Sequence, residues 1–174
     1  MDNKKKRKTV GLALGSGGLR GPAHIGVLKS LIKHNIPIDY IAGSSIGAVI
    51  GAHYALYQDL EKMQKDYFLE QGKKMQYLRD INLKKGILSG ARLEKSFMKM
   101  FEGKKFSDTR IPFKAVATDL FSGEAVILEK GDLTKAVRAS VSIPLLFKPV
   151  KYLGKFFVDG AVSKPVPDNV VREM

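Results

Sequence analysis

A chain of 174 residues with 44% hydrophobic side chains is long enough for one domain with a sizeable core and too apolar to stay disordered. It has no cysteine, which excludes disulfides, thiolate metal sites and a cysteine nucleophile together and fits a reducing compartment. The formal net charge of +13 favours anionic partners or solubility, but the aromatic interleaving or reading helix of a nucleic-acid binder is missing, so no specific nucleic acid is expected.

Residues 1–8 read as a basic, flexible tail in which Lys4, Lys5, Lys6, Arg7 and Lys8 supply five positive charges. No apolar h-region follows, so this is not a secretory signal, and no stretch approaches the ~18 apolar residues that span a bilayer. The expectation is a cytoplasmic protein, with peripheral contact to an anionic membrane through its charge. From residue 9 onward the chain is read as one domain.

"TVGLAL" (9–14) reads as a strand running into the glycine-rich turn "GSGGLRG" (15–21). A helix follows, with Pro22 at its first position and Ile25, Leu28, Leu31 and Ile32 as its apolar stripe. "IDYIAGS" is a second strand and "IGAVIGAHYALYQ" a buried helix of small residues. This β-α-β-α order predicts an α/β fold with a mostly parallel central sheet flanked by helices. Residues 58–110 are polar and rich in Lys and Met, and read as an inserted helical layer broken at Gly86 and Gly90. "FKAVATDL" and "GEAVILEKG" then form a hairpin about "FSG", "DLTKAVRAS" a helix capped by Asp132, and "FKPVKYLGKFFVDGA" two short strands about Gly154. "PDNVVREM" opens a helix, with Asp168 or Asn169 as its cap and Val170 and Val171 as its first apolar pair. In an alternating chain a further strand is expected after it, as in a fragment of a longer protein.

Two stretches carry chemistry. In "GSSIG" (43–47), Gly43 and Gly47 flank Ser45 in the pattern G-x-S-x-G. A serine on a sharp strand-to-helix turn lifts its hydroxyl to the carboxyl edge of the sheet, and glycines let the neighbouring elements close in. The alternative is a tight turn of small residues with no chemistry. The loop of Gly15, Ser16, Gly17, Gly18, Leu19, Arg20 and Gly21 presents backbone N–H groups to an anion. As a dinucleotide site it lacks the acid at the end of the second strand, where Ala42-Gly43-Ser44-Ser45 stands instead. It serves better as an oxyanion hole. None of the three histidines is well placed as the base: His53 lies about 12 Å from Ser45 along the same helix, His34 at the far end of the first helix, and His24 reads as packing or capping. Asp159, ending the strand "FFVD", is either a base or the first residue of an Asp-Gly turn.

"GLALGSGGLRGPAHIGVLKSL", "GSSIGA", "RASVSIPLLFKPV" and "VDGAVSKPVP" together resemble the patatin-like phospholipases, particularly bacterial proteins similar to neuropathy target esterase. The resemblance covers the chain outside the helical stretch 58–110. It implies a three-layer α/β/α catalytic domain over residues 9–174 that cleaves lipid or acyl esters. Ser45 is then the nucleophile and Asp159, in the motif with Gly160 and Ala161, the general base of a Ser–Asp dyad. The N–H groups of Gly17, Gly18 and Leu19 form the oxyanion hole, Arg20 is structural or steadies negative charge, and no metal or cofactor is implied. Ser16 departs from the family's usual glycine. A noncatalytic lipid- or nucleotide-binding protein using the same loop is the alternative.

Overall fold

A computed structural model describes residues 7–72 and 88–174. A six-stranded sheet is formed by β1 (Gly11–Leu14), β2 (Tyr40–Ser44), β3 (Phe113–Asp119), β4 (Ala125–Leu128), β5 (Val150–Tyr152) and β6 (Lys155–Asp159). Around it lie α1 (Pro22–Lys33), α2 (Ile46–Tyr57), α3 (Leu60–Gly72), α4 (Ala91–Phe101), α5 (Leu133–Ser140) and α6 (Asp168–Arg172). β1, β2 and β3 are parallel neighbours, β4 and β6 each pair antiparallel with β3, and β5 pairs antiparallel with β6. β1, β2, β3 and β5 therefore run one way, and β4 and β6 the other.

Both early crossovers, β1-α1-β2 and β2-α2-β3, step across the sheet in the same direction. Right-handed connections then place α1 and α2 on the same face. Ile25 and Leu28 of α1 and Ala48, Val49 and Ile50 of α2 share one core with Ile41 of β2, Phe101 of α4 and Val137 of α5. The next residue of β2, Ala42, points the other way, as a strand's period of two requires, and packs with Val116 and Val170 under α6. The second face is thus a thinner layer.

The elements follow the sequence reading closely, with three differences. In α1 only Ile25 and Leu28 are buried, and Ile32 lies at the exposed edge of the stripe. Helix α6 takes Pro167 as its N-terminal flank, so neither Asp168 nor Asn169 caps it; the Pro167 backbone turns the chain and Asp168 is already helical. Arg7, placed in the flexible tail, forms a two-pronged ion pair with Asp39 at 2.6 and 2.7 Å, which holds the Asp39 carboxyl at about 2. The insertion is helical at both described ends, and it packs into the core through Met63 and Tyr67 of α3 and Phe97 of α4. Gly90 marks its break with a φ of 74°, while Gly86 lies outside the described residues. Among the described residues no helix is long and apolar enough to cross a membrane.

The glycines of "GSSIG" act as spacers. A Cβ at Gly43 would lie 2.5 Å from the Gly47 oxygen and 2.6 Å from the Ala48 Cα; one at Gly47 would fall on the carbonyls of Leu14 and Gly15. Helix α2 therefore sits closer to β1 and β2 than any side chain permits. Gly47→Ala is expected to destabilise the fold by about 1–3 kcal/mol or more. Gly26→Ala, in a part of α1 with no atom within 4 Å of the new methyl, should stabilise by about 0.5–1 kcal/mol. Thermal melts of the two variants check the contrast.

Candidate active site

β3 has two edges, and residues 115–118 of it pair with β4 along one of them. On the other edge β2 pairs as far as Ser44 opposite Val116, and β6 takes over with Asp159 opposite Ala117. β2 and β6 arrive from opposite ends and stop facing each other, each with its carboxyl end at the junction. That junction holds Ser45 and Asp159.

The parallel ladder of β2 on β3 includes a bond from Ile41 N to the Pro112 oxygen at 3.0 Å. Its period of two would bring Ser45 N to the oxygen of Val116. The hydroxyl of Ser140 stands between them instead: Ser45 N donates to Ser140 Oγ at 2.9 Å, and Ser140 Oγ donates to the Val116 oxygen at 2.6 Å. The wedge parts β2 from β3 where the chain turns into α2. Ser45 adopts φ 54° and ψ −123°, a left-handed backbone that disfavours side chains by about 1–3 kcal/mol. Ser45 is 6% exposed, and its Oγ donates to Asp159 Oδ2 at 2.7 Å.

Asp159 is held from every side. Its Oδ1 accepts from Ala161 N at 2.8 Å, its N donates to the Ser142 oxygen at 2.9 Å, and its carbonyl accepts from Thr118 Oγ1 at 2.8 Å. Gly160 lies so close to the Val116 carbonyl and Ser44 Oγ that a Cβ would overlap them. Asp159 is 3% exposed and its carboxyl has no ion pair among the described residues. Burial pushes its pKa up, against the opposing pull of the Ala161 and Ser45 hydrogen bonds.

The glycine loop lies beside this pair. Gly21 packs on the Ile46 side chain, and a Cβ on Gly17 would lie within 4.0 Å of it; Ile46 directly follows Ser45. Ser16 N donates to the Pro165 oxygen at 2.8 Å, so that N–H is occupied. Ser16 keeps a negative φ, and its place in the loop carries no left-handed strain, whereas Gly18 has φ 52°. Arg20 N and Gly21 N close a tight turn onto the oxygens of Gly17 and Gly18. The N–H groups of Gly17, Gly18 and Leu19 have no acceptor among the described residues. Arg20 is exposed and takes part in no ion pair among them.

None of the histidines hydrogen-bonds Ser45 or Asp159 among the described residues. His24 donates from Nε2 to the Gly15 oxygen at 2.8 Å and so fastens the loop. His53 is buried against Asp66 at 3.0 Å, and His34 bonds the Ser30 oxygen on an exposed helix end. No cluster of carboxylates and histidines that could hold a metal occurs among the described residues.

Sequence reasoning gave no role to Ser140, Ser142, Thr118 or Arg138. Arg138 is fully buried: it donates to Ser142 Oγ at 2.6 Å and to the carbonyls of Ser89 and Gly90 at 3.4 Å, with the Phe147 ring 5.0 Å away. Three of the four lie in or beside "RASVS", and the signal was the polar residues at i and i+2 in an otherwise apolar segment.

The family model for patatin-like phospholipases matches residues 12–170. The chain belongs to the patatin-like phospholipase family. An uncharacterised NTE family protein of Mycobacterium tuberculosis is 37% identical over 158 residues, covering 91% of this chain and 44% of that protein. Human patatin-like phospholipase domain-containing protein 6 is 29% identical over 174 residues, 95% of this chain and 12% of the relative. The patatin-like chain thus spans less than half the length of these curated relatives. Its fold also resembles VipD from Legionella pneumophila, with a TM-score of 0.63 at 12% identity over 88% of this chain and 45% of VipD.

Ser140→Ala would leave Ser45 N and the Val116 oxygen facing each other without the hydroxyl that joins them. Unpaired buried groups of this kind cost about 1–3 kcal/mol. The expected result is a lower melting temperature by calorimetry, larger than that of a serine-to-alanine change at exposed Ser122.

Proposed function

We propose that this chain carries a serine acyl hydrolase domain that cleaves carboxylic ester bonds of lipids. The observation that supports it most is the 2.7 Å hydrogen bond from Ser45 Oγ to a buried carboxylate of raised pKa, at a strained strand-to-helix turn. The lipid substrate class follows the family and its relatives' names, which specify phospholipases.

Asp159 Oδ2 takes the proton of Ser45 Oγ as that oxygen bonds to the ester carbonyl carbon. The carbonyl oxygen becomes an oxyanion. The unpaired N–H groups of Gly17, Gly18 and Leu19 receive it, beside the N-terminus of α2 with its positive dipole end. The carbon–oxygen bond to the alcohol breaks, and the alcohol leaves with the proton from Asp159. Water then gives a proton to Asp159 and adds to the acyl carbon; Ser45 recovers its proton as the acid departs. A carboxylate is a weak base toward a hydroxyl, and desolvation raises its affinity for the proton it must accept.

A fluorophosphonate probe tests the activated serine, because a noncatalytic binding protein is not labelled. Labelling and nitrophenyl ester hydrolysis are expected in the parent chain and lost in Ser45→Ala. Asp159→Asn should lower turnover by roughly 10²–10⁴-fold, while His24→Ala keeps most of it. The pH profile carries a sign. Activity needs Asp159 ionised, so the acid limb should fall at a pH above the ordinary carboxylate range and disappear in Asp159→Asn. Because the folded pKa is raised above the unfolded one, protonation favours the native state. Ionised Asp159 weighs against folding at neutral pH, so Asp159→Asn should melt no lower than the parent there. Unlabelled parent protein would overturn the reading.

A further inference from the structure

Three loops surround the dyad: residues 15–21, 141–150 and 160–167. Ser16 N on the Pro165 oxygen joins the first to the third, and Asp159 N on the Ser142 oxygen ties the second to the dyad. These loops carry apolar side chains in the open. Leu145 is 88% exposed, Leu19 75% and Val162 57%, and Ile143, Leu146 and Val166 are exposed as well. Single exposed leucines are ordinary on any surface, but a group of them around one mouth marks a contact face.

Charge says what the face meets. The chain has 17 acidic residues, yet none lies within 15–21, 141–150 or 160–167, while Arg20, Lys148 and Lys164 do. None of those three cations forms an ion pair among the described residues. Apolar tips interspersed with unpaired cations and free of carboxylates are complementary to an anionic lipid surface, whose acyl region takes the first and whose phosphates take the second.

We propose that the mouth of the dyad is itself the surface by which this chain docks on an anionic bilayer, with Leu145, Val162 and their neighbours entering between headgroups. The proposal rests on the acyl hydrolase reading, since it makes the bilayer the source of the ester. The basic tail then adds attraction at a distance but does not set the orientation.

The test is sedimentation of the full chain carrying Ser45→Ala, so that binding is read without hydrolysis. The vesicles are phosphatidylcholine alone or phosphatidylcholine with about one third phosphatidylglycerol. Binding is expected to the anionic vesicles, weakening with salt. Adding Leu145→Glu with Val162→Glu should lower partitioning at least ~10-fold. Lys148→Gln with Lys164→Gln should lower it several-fold. Melting temperatures should stay close to the parent's, because Leu145, Val162 and Lys148 are exposed and half-buried Lys164 forms no ion pair among the described residues. In the Ser45 background the same variants should keep turnover of a dispersed short-chain ester and lose it on vesicles. Equal binding of the rim variants and the parent would overturn the proposal, as would binding abolished by Lys4, Lys5 and Lys6→Gln alone. A dimer by light scattering that Leu145→Glu dissolves would also overturn it, by giving the face to a second copy of the chain. Failure to bind vesicles while fluorophosphonate labelling persists would sink the docking face and spare the hydrolase; the reverse pattern would do the opposite.

Discussion

One edge of β3 can carry only one ladder at a time, and this structure gives that edge to two strands. β2 uses it up to Val116 and β6 from Ala117 onward. The two converge by their carboxyl ends, so whatever residues terminate them must meet. A serine just past one end and an aspartate at the other come within hydrogen-bond distance although 114 positions separate them. Neither side chain has to reach, because the backbones have already closed the distance. A single hydroxyl, that of Ser140, fills the seam and supplies the bond that the interrupted ladder loses.

That seam makes the strained turn tolerable. The left-handed backbone of Ser45 disfavours the native state by about 1–3 kcal/mol, and a hydrogen bond returns about 0.5–1.5 kcal/mol net. The bonds at Ser45 N and Oγ together roughly offset the strain and leave no surplus. The conformation therefore persists because its surroundings leave nothing else. Gly43, Gly47 and Gly160 each lie where a methyl would strike backbone, so α2, β1, β2 and β3 fit around the turn only as they are.

The fold was legible because its signals are local. Strands ended in glycine-rich turns, Pro22 opened a helix, Asp132 capped another through Lys135 N, and each short strand pair had its glycine. The turn at Ser45 was legible for the same reason, since G-x-S-x-G names its own backbone geometry. Asp159 was left open between a base and an Asp-Gly turn by its own residues, and only the resemblance paired it with the Ser45 it hydrogen-bonds. What stayed hidden was what depends on position in the sheet. Nothing in "RASVS" says that Ser140 will stand between two strands, or that Arg138 will be enclosed by Ser142 and the carbonyls of Ser89 and Gly90. Ser16 shows the same limit. Its N–H was available as a donor on the sequence alone, and only the third dimension places Pro165 upon it. Ile32 continued the apolar stripe of α1 in sequence, yet only Ile25 and Leu28 of that helix are buried.

The placement of charge around the dyad has a consistent logic. A base that must take a proton from a hydroxyl improves as its pKa rises, and a neighbouring cation would lower it. Arg138 is buried four residues before Ser142, whose carbonyl accepts from Asp159 N. Yet its donors go to the Ser142 hydroxyl and two carbonyls, and it does not contribute to the Asp159 shift. The remaining cations of the three loops stand at the rim. Asp159 is thus left to desolvation, with Ala161 N and the Ser45 hydroxyl as the groups that moderate it. In the proposed hydrolase, positive charge at the rim and none against the carboxylate would let one small site meet an anionic surface without weakening its base. The two demands are separated by a few residues of loop, and burial keeps them apart.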